Sequence, residues 1–549
     1  MRAALPCIAR FLASTLATLL LAPVVSGQFA APQPVSLGIG TPPDNVTGVV
    51  RGDLNGDLLG DVVGTDNASP GKVGLALRTA GGAYTTQTPV VDPAGSPNGA
   101  FLPQLADFDL DGNLDLVHAG TTPFAGATDT AVFVLRGVLS GANYTFVPTV
   151  IVTLLPLPST VTGLRTTDYD GDGLQDILVT ISSSTPANNR VGLIRNLGGF
   201  TFGPLTSSTT ATGPSQIDVC VDYNQDGRKD SVICRAIPGG LSFVDVYQGV
   251  GPPQFFPSSP TISLALPPGF EPVDVHWLDC DQRNDYDLAV CGRGSNPGIL
   301  LIRNLGAPPF FNSPTGTLPF ALNGVPAAIR RMEFDFDGVE DLTVFEIGSG
   351  PTSLRPTTFE VLGIDDCALT SLLVTSVGTY ETAALELPIA EPQTAGDQDH
   401  DGKSDLVTLN HVAGAADEVL VYQNITPTSF AIAPTHPLLG QSVAFTFFIQ
   451  TSPTLAGRQF WVAFSLMGTE PGLTINGGLL FHLNPPFLPL FIPGILDGTG
   501  NGSFTAPPIL IPPAPRLFST QLAAAFVVQG PVPGAGFAFT SNPAVVTIP

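Results

Sequence analysis

Seven nine-residue stretches carry acidic or amide side chains at alternate positions, beginning at Asp53, Asp107, Asp168, Asp222, Asp279, Glu333 and Asp397. In the second, Asp107, Asp109, Asp111 and Asp115 hold positions 1, 3, 5 and 9, with Gly112 at position 6. Asp168, Asp170, Asp172 and Asp176 repeat the pattern around Gly173, and Asp397, Asp399, Asp401 and Asp405 around Gly402. Odd positions of a tight loop point inward together, so each stretch gathers hard oxygens into a cage, the donor set that Ca²⁺ prefers. Glycine at position 6 permits the sharp turn that brings the position-7 carbonyl into the same cage. The other copies vary. The first has Asp53, Asn55, Asp57 and Asp61 but Leu58 in place of the glycine; the fourth has Asp222, Asn224, Asp226 and Asp230. The sixth opens on Glu333 and continues with Asp335, Asp337 and Asp341. The fifth supplies Asp279, Asp281 and Asp287, yet puts Arg283 at position 5, where its cation would replace or repel a metal. Six calcium sites are therefore expected, with a seventh opposed by Arg283.

These loops need elements to hold them. An EF-hand closes its loop with Glu at position 12 between helices. Here position 9 leads straight into Leu116-Val117, Ile177-Leu178-Val179, Leu288-Ala289-Val290 or Leu406-Val407, which read as strands. The loop starts are 54, 61, 54, 57, 54 and 64 residues apart, the period of one supersecondary unit that needs its neighbours to bury its faces. Composition agrees: 60 Gly and 54 Pro among 549 residues exclude long helices, and 12% charged against 43% hydrophobic residues excludes a disordered solvating chain. Odd positions of the seven loops hold 26 of the 46 acidic residues, so neutralising them would bring the net charge from −25 to about +1. Without a cation each loop concentrates like charge, which opposes folding. The acidic balance also excludes a general grip on phosphates, so no nucleic-acid partner is expected.

With the strand ends Leu193-Ile194-Arg195-Asn196-Leu197-Gly198, Phe200-Thr201-Phe202 and Leu301-Ile302-Arg303-Asn304-Leu305-Gly306, the loops resemble the FG-GAP or VCBS-like repeats. Those are the blades of the integrin alpha-subunit head and of many secreted bacterial proteins. The phrase that names the family, Phe-Gly followed by Gly-Ala-Pro, is poorly kept. The resemblance implies a seven-bladed β-propeller in which each loop joins two strands of a blade at one rim, with the carboxylates above as calcium ligands. Seven repeats also suit a closed ring, because closure removes sheet edges.

The expected fold class is all-β, in three parts. Residues 1–27, with Arg2 and Arg10, an apolar run to Val25 and then Ser26 and Gly27, read as a secretory signal peptide too short to span a membrane. The mature chain is then secreted or held at the cell surface, with no transmembrane span. Residues 28–424 form the propeller. From 425 to 549 the only charged residues are Arg458, Glu470, Asp497 and Arg516, and apolar runs between Pro and Gly turns read as a β-sandwich. In an exported chain, disulfides Cys220–Cys234 and Cys280–Cys291 are the pairings weighed, leaving Cys367 over. Phe255, Phe256, Phe310 and Phe311 read as strand ends in preference to contact residues. Arg51-Gly52-Asp53 spells an integrin-binding tripeptide, but its aspartate is the first ligand of loop one. No H-E-x-x-H, G-x-S-x-G, P-loop or G-x-G-x-x-G signature is present. The expected function is a non-catalytic binding or adhesion module for an extracellular protein or polysaccharide. The alternatives are a polysaccharide lyase or hydrolase, and a self-associating envelope or matrix protein.

Overall fold

The computed structural model describes residues 29–40, 46–91 and 101–425 apart from short gaps, and beyond 429 the backbone of the strands alone. The gaps that bear on the loops are 58, 225, 279, 281–285, 333, 335–340, 397 and 400–403; the signal-peptide segment also lies outside the described residues.

Seven antiparallel sheets form the propeller. Their first strands are Val46–Gly52, Phe101–Ala106, Ser159–Thr167, Ile217–Val221, Phe270–Leu278, Val325–Met332 and Gln393–Gly396. Each lies beside the first strand of the next sheet, and the seventh lies beside the first, so these strands line the axis of a closed ring. Blade 3 shows the pattern: Ser159–Thr167, Asp176–Ser183, Arg190–Ile194 and Thr206–Thr209 follow outward in chain order. Blade 7 takes its outermost strand from the other end of the propeller. Gln33–Val35 pairs with Glu418–Tyr422, Gln33 opposite Val421, and an isolated bridge joins Phe29 to Asn424. Closing the ring this way leaves no open edge between the first and last blades.

The apolar runs after position 9 are unbroken because both faces of a blade are buried. Side chains alternate across a strand, so Ile177 and Val179 pack with Val117, Val132 and Val134 of blade 2, while Leu178 packs with Ile217, Ile233 and Tyr247 of blade 4. Val232 and Val244 of blade 4 likewise meet Trp277, Leu288 and Val290 of blade 5. The core is thus a ring of blade-to-blade layers.

Past residue 429, Phe430–Ala433, Thr446–Gln450 and Asn501–Thr505 form one antiparallel sheet. Gln459–Ser465 and Thr520–Gln529 lie within a second, with Ile492–Ile495, Phe537–Thr540 and Ala544–Ile548. Among the described residues the sole helical segment is the 3₁₀ turn Pro186–Asn188, and no helix is long and apolar enough to cross a membrane.

The cysteine pairing departs from expectation. Cys280 joins Cys367, 87 residues on, and Cys291 is a buried thiol. Cys291 lies four residues along the strand that begins at Asp287, roughly 13 Å from the loop at the rise of a strand, which is beyond disulfide reach. Cys367 sits in the turn between Leu354–Asp365 and Ala368–Glu381 of the next blade. The Cys220 side chain lies outside the described residues.

Candidate metal centres

Each loop connects the first and second strands of its blade, and position 9 is the first residue of the second strand: Asp61, Asp115, Asp176, Asp230, Asp287, Asp341 and Asp405. All seven are buried. In every blade one oxygen of this aspartate accepts the backbone N–H of position 2, at 2.8–3.1 Å. In six the other accepts a backbone N–H from the third strand or just past it: Arg78, Gly137, Asn196, Gly249, Asn304 and Asn424, at 2.6–2.8 Å. Position 9 therefore staples the loop to two neighbouring strands. A carboxylate has about four lone-pair sites, so two N–H bonds leave capacity for a cation.

Loops one to four share a second network. Position 1 accepts from backbone N–H groups at positions 4 to 6, as Asp168 does from Gly171 (2.8 Å) and Gly173 (3.0 Å), and Asp222 from Asp226 (2.9 Å) and Gly227 (2.6 Å). Position 3 accepts from the N–H of position 5, and position 5 from that of position 7. These bonds wind the chain so tightly that Gly112, Gly173 and Gly227 at position 6 take φ of +88°, +90° and +83°, a region that suits glycine. Position 4 is left-handed too: Gly56, Gly171 and, without a glycine's freedom, Leu110 at φ +60°.

In loops two and three, Asp107, Asp109 and Asp115, and Asp168, Asp170 and Asp176, place one oxygen each within 4.8 Å of one another. Positions 1, 3 and 9 thus converge. Position 5 stands apart from those triads: Asp111 accepts from Arg136 at 2.7 Å, and Asp172 from Arg195 at 3.3 Å. The same arginines also pair with position 3, Arg136 with Asp109 at 3.1 Å and Arg195 with Asp170. Gln248 reaches Asp226 at 2.7 Å, and Gln423 reaches Asp399 at 3.1 Å. This long polar side chain, one residue before the donor that position 9 holds, was not singled out from sequence. An Arg or Gln followed by Gly or Asn, as in Arg136-Gly137, Arg195-Asn196, Gln248-Gly249 and Gln423-Asn424, is the signal that marks it.

Electrostatics favours a cation. Burial first, then the carboxylates of the same loop, pushes Asp61 and Asp115 up to about 7 and Asp176 and Asp230 to about 8, against the backbone donors. A bound divalent ion would reverse that push. The all-oxygen donor set, the converging triads and this crowding fit Ca²⁺, which Asp107, Asp109 and Asp115 or Asp168, Asp170 and Asp176 would hold, with position 5 available by turning from its arginine. Asp53, Asn55, Asp57, Asp222, Asn224 and Asp226 follow the same backbone pattern. Asp279, Asp281, Arg283, Glu333, Asp335, Asp337, Asp397 and Asp401 lie outside the described residues.

Position 2 carries a further role. Its side chain is buried against the following blade: Leu54 with Leu116 and Phe133, Phe108 on Phe202, Tyr169 on Phe256, Tyr223 on Trp277, Phe310 and Phe311, and Phe334 on Phe29. Cys280 is bonded to Cys367 of blade 6. Its carbonyl is gripped as well, Phe108 by Asn196 Nδ2 (2.8 Å), Tyr223 by Asn304 Nδ2 (3.1 Å), Phe334 by Asn424 Nδ2 (3.2 Å) and Gln398 by the N–H of Gly60 (2.9 Å). Phe256, Phe310 and Phe311 are thus joint residues; Phe255 lies outside the described residues.

The sequence profile of the FG-GAP-like repeat matches residues 168–233, one period from the third loop into the second strand of blade 4. This is a propeller of FG-GAP-like repeats. No curated protein matches the chain. Among solved structures, a complex of the GH93 alpha-L-arabinofuranosidase of Fusarium graminearum with arabinobiose is similar at a TM-score of 0.38 and 14% identity, over 65% of this chain and 98% of that one. Within the FG-GAP repeat propeller the Arg-Gly-Asp tripeptide divides its duties: Asp53 accepts from Gly56 and Asp57 inside loop one, while Arg51 lines the axis.

Proposed function

We propose that this FG-GAP repeat propeller is an exported calcium-binding module that recognises an extracellular protein or polysaccharide without chemical conversion. The observation that carries it is the convergence of Asp107, Asp109 and Asp115, and of Asp168, Asp170 and Asp176, at one rim. Calcium there would neutralise the crowded carboxylates and lock the loops, so that the connections at the rim present a fixed surface; rigid scaffolds bind at lower ordering cost.

A lyase or hydrolase reading asks for a pair of carboxylates away from the loops, converging on the axis with Arg or His. Asp274 meets part of that description, lying 2.9 Å from Arg330 Nη1 and 3.7 Å from His276 Nε2. Burial alone would raise it, yet His276, Arg330 and Arg165 together hold its carboxyl below the usual range. It therefore stays ionised beside Arg330 as a counter-charge, which does not suit a general acid, and a second carboxylate to complete a pair is not among the groups named for its surroundings.

The test is a pull-down of the chain from Gln28 onward against a panel of polysaccharides and cell envelopes, in calcium and in chelator, with soluble products analysed. Calcium-dependent retention without new sugar ends is the expected result. Cleavage products would overturn the non-catalytic reading, and equal retention in chelator would overturn the calcium dependence.

A further inference from the structure

Arg136 stands on the third strand of blade 2, Ala127–Ser140, one residue before Gly137, whose N–H donates to Asp115 at 2.8 Å. That bond fixes the backbone of Arg136 beside loop two. Its Nη2 lies 3.1 Å from Asp109 Oδ2 and 2.7 Å from Asp111 Oδ2. The Oδ1 atoms of the same two aspartates accept N–H groups inside the loop, from Asp111 at 3.3 Å and Asn113 at 2.9 Å. The guanidinium carbon also lies 6.0 Å from the ring centre of Phe200 in blade 3. One arginine thus bridges positions 3 and 5 of a loop that carries four carboxylates.

The arginine goes with the identity of position 3. Arg195 is placed in the same way on Asp170 and Asp172. Asp399 at position 3 of loop seven has Arg78 of blade 1 at 3.8 Å, although its own blade offers the neutral Gln423. In loop four position 3 is Asn224, and the residue before the Gly249 donor is Gln248, which donates to Asp226 at 2.7 Å; the exposed Arg228 is 3.7 Å from that same Asp226. In loop one position 3 is Asn55, whose Nδ2 donates to Asp57 at 3.2 Å, and the residue before the Arg78 donor is Leu77. Among the loops whose position 3 is described, a charged position 3 therefore faces an arginine, and an amide there goes with a neutral residue at the place of Arg136. A guanidinium a few ångströms from a carboxylate cage relieves repulsion among the carboxylates and opposes a divalent cation entering it.

We propose that Arg136 is a charge-matching residue: it offsets the additional carboxylate at position 3, so that loop two holds calcium less tightly than its four carboxylates alone would, and is less strained in chelator. This rests on the calcium reading above and assigns to a residue outside the nine-residue loop the setting of its affinity.

The test is a calcium titration of the chain from Gln28 onward in competition with a chromophoric chelator, together with the unfolding midpoint in excess chelator. The Arg136 side chain is 45% exposed, so its replacement leaves the core intact. Arg136→Gln should tighten one calcium equivalent about three- to tenfold, the effect of a unit charge a few ångströms from a divalent ion in a water-like dielectric with salt, and should lower the midpoint in chelator. Asp109→Asn should weaken that equivalent. The double variant Asp109→Asn with Arg136→Gln, which reproduces the Asn224 and Gln248 combination of loop four, should return to within about threefold of wild type, and Arg136→Lys should stay closer to wild type than Arg136→Gln. Unchanged or weaker calcium binding by Arg136→Gln, with wild-type binding intact, would overturn the proposal alone. So would a lysine variant that matches the glutamine variant, or a double variant no nearer to wild type than either single one. A wild-type chain that binds no calcium would overturn the calcium reading and this inference with it.

Discussion

Asp176 and Asp172 belong to the same loop, and the structure gives them different tasks. Asp176 is buried and accepts backbone N–H groups of Tyr169 at 3.1 Å and Asn196 at 2.8 Å. Asparagine at 176 offers one acceptor oxygen, and its NH₂ then faces a backbone donor. With its carboxyl pushed up to about 8 when no cation is bound, no charge-assisted bond is at stake in chelator, and the stranding of a buried N–H should cost about 1–3 kcal/mol. Because this staple holds strands together with or without metal, Asp176→Asn should lower the unfolding midpoint in chelator as well as in calcium. The Asp172 side chain is 36% exposed, and it accepts from Leu174 N–H at 3.0 Å, a bond that asparagine preserves. Asp172→Asn should therefore change stability in chelator by no more than about 0.5 kcal/mol, and lose part of the gain that calcium confers. Denaturant unfolding followed by circular dichroism, in excess calcium and in excess chelator, separates the two. A wild-type midpoint for Asp176→Asn in chelator would refute the staple. A full calcium gain in Asp172→Asn would refute position 5 as a ligand.

Three further outcomes follow from the same geometry. Burial, and then contact with Glu360, pushes buried Glu346 up to about 8; since that lies above its unfolded value, its contribution is full in acid and is lost as pH rises through 8. Glu346→Gln should flatten this decline, on the order of 3 kcal/mol between pH 5 and 8, measured as midpoint against pH in chelator; an unchanged slope would exclude Glu346 as its source. Gly173→Ala should destabilise by about 1–2 kcal/mol, because φ is +90° there, whereas exposed Leu110→Gly at φ +60° should stabilise by up to about 1 kcal/mol; calorimetry of both variants checks the opposite signs. Cys367→Ser should cost about 2–5 kcal/mol for a bridge closing 87 residues, and reductant should reproduce that loss in the wild type while leaving the variant unmoved.

The repeat, the strands after position 9 and the seven-blade ring were legible because their signals are local and recur: odd-position acids, a glycine, then an apolar run. The partners of those loops were not. Asn196 reaches Phe108, 88 residues away, and Asn424 reaches Phe334, 90 away; such contacts exist only once the ring has set which blades adjoin. The same holds for Cys367, which sequence spacing left over because Cys291 is nearer along the chain but too far along the strand. Position 2 offers no metal-ligand chemistry, and only the apolar or aromatic character shared by Leu54, Phe108, Tyr169, Tyr223 and Phe334 marks it in the sequence. The arginines at the axis carry no motif at all. Arg51, Arg165 and Arg330 become neighbours of one axial cavity only through closure.

Closure also explains why the acidic loops and the blade joints coincide. Position 9 fixes the loop to its own blade, and position 2, two residues into the loop's turn, fixes it to the next, so winding of the loop around a cation would set the spacing between blades. At the seam between the chain's first and last blades the same parts are used: Gly60 N–H donates to Gln398 O, and Arg78 lies 3.8 Å from Asp399. Blade 5 is the informative exception. Its loop carries Arg283 at position 5, and its position-2 residue, Cys280, is the one bound covalently to the following blade, with the N–H of Cys367 donating to the Cys280 carbonyl at 3.2 Å. Where the sequence opposes a calcium, a disulfide occupies the joint that the aromatic rings and amide grips occupy elsewhere. The physical demand at this rim is thus a restrained joint between neighbouring blades, met in blade 5 by the disulfide and elsewhere by buried position-2 side chains and amide grips.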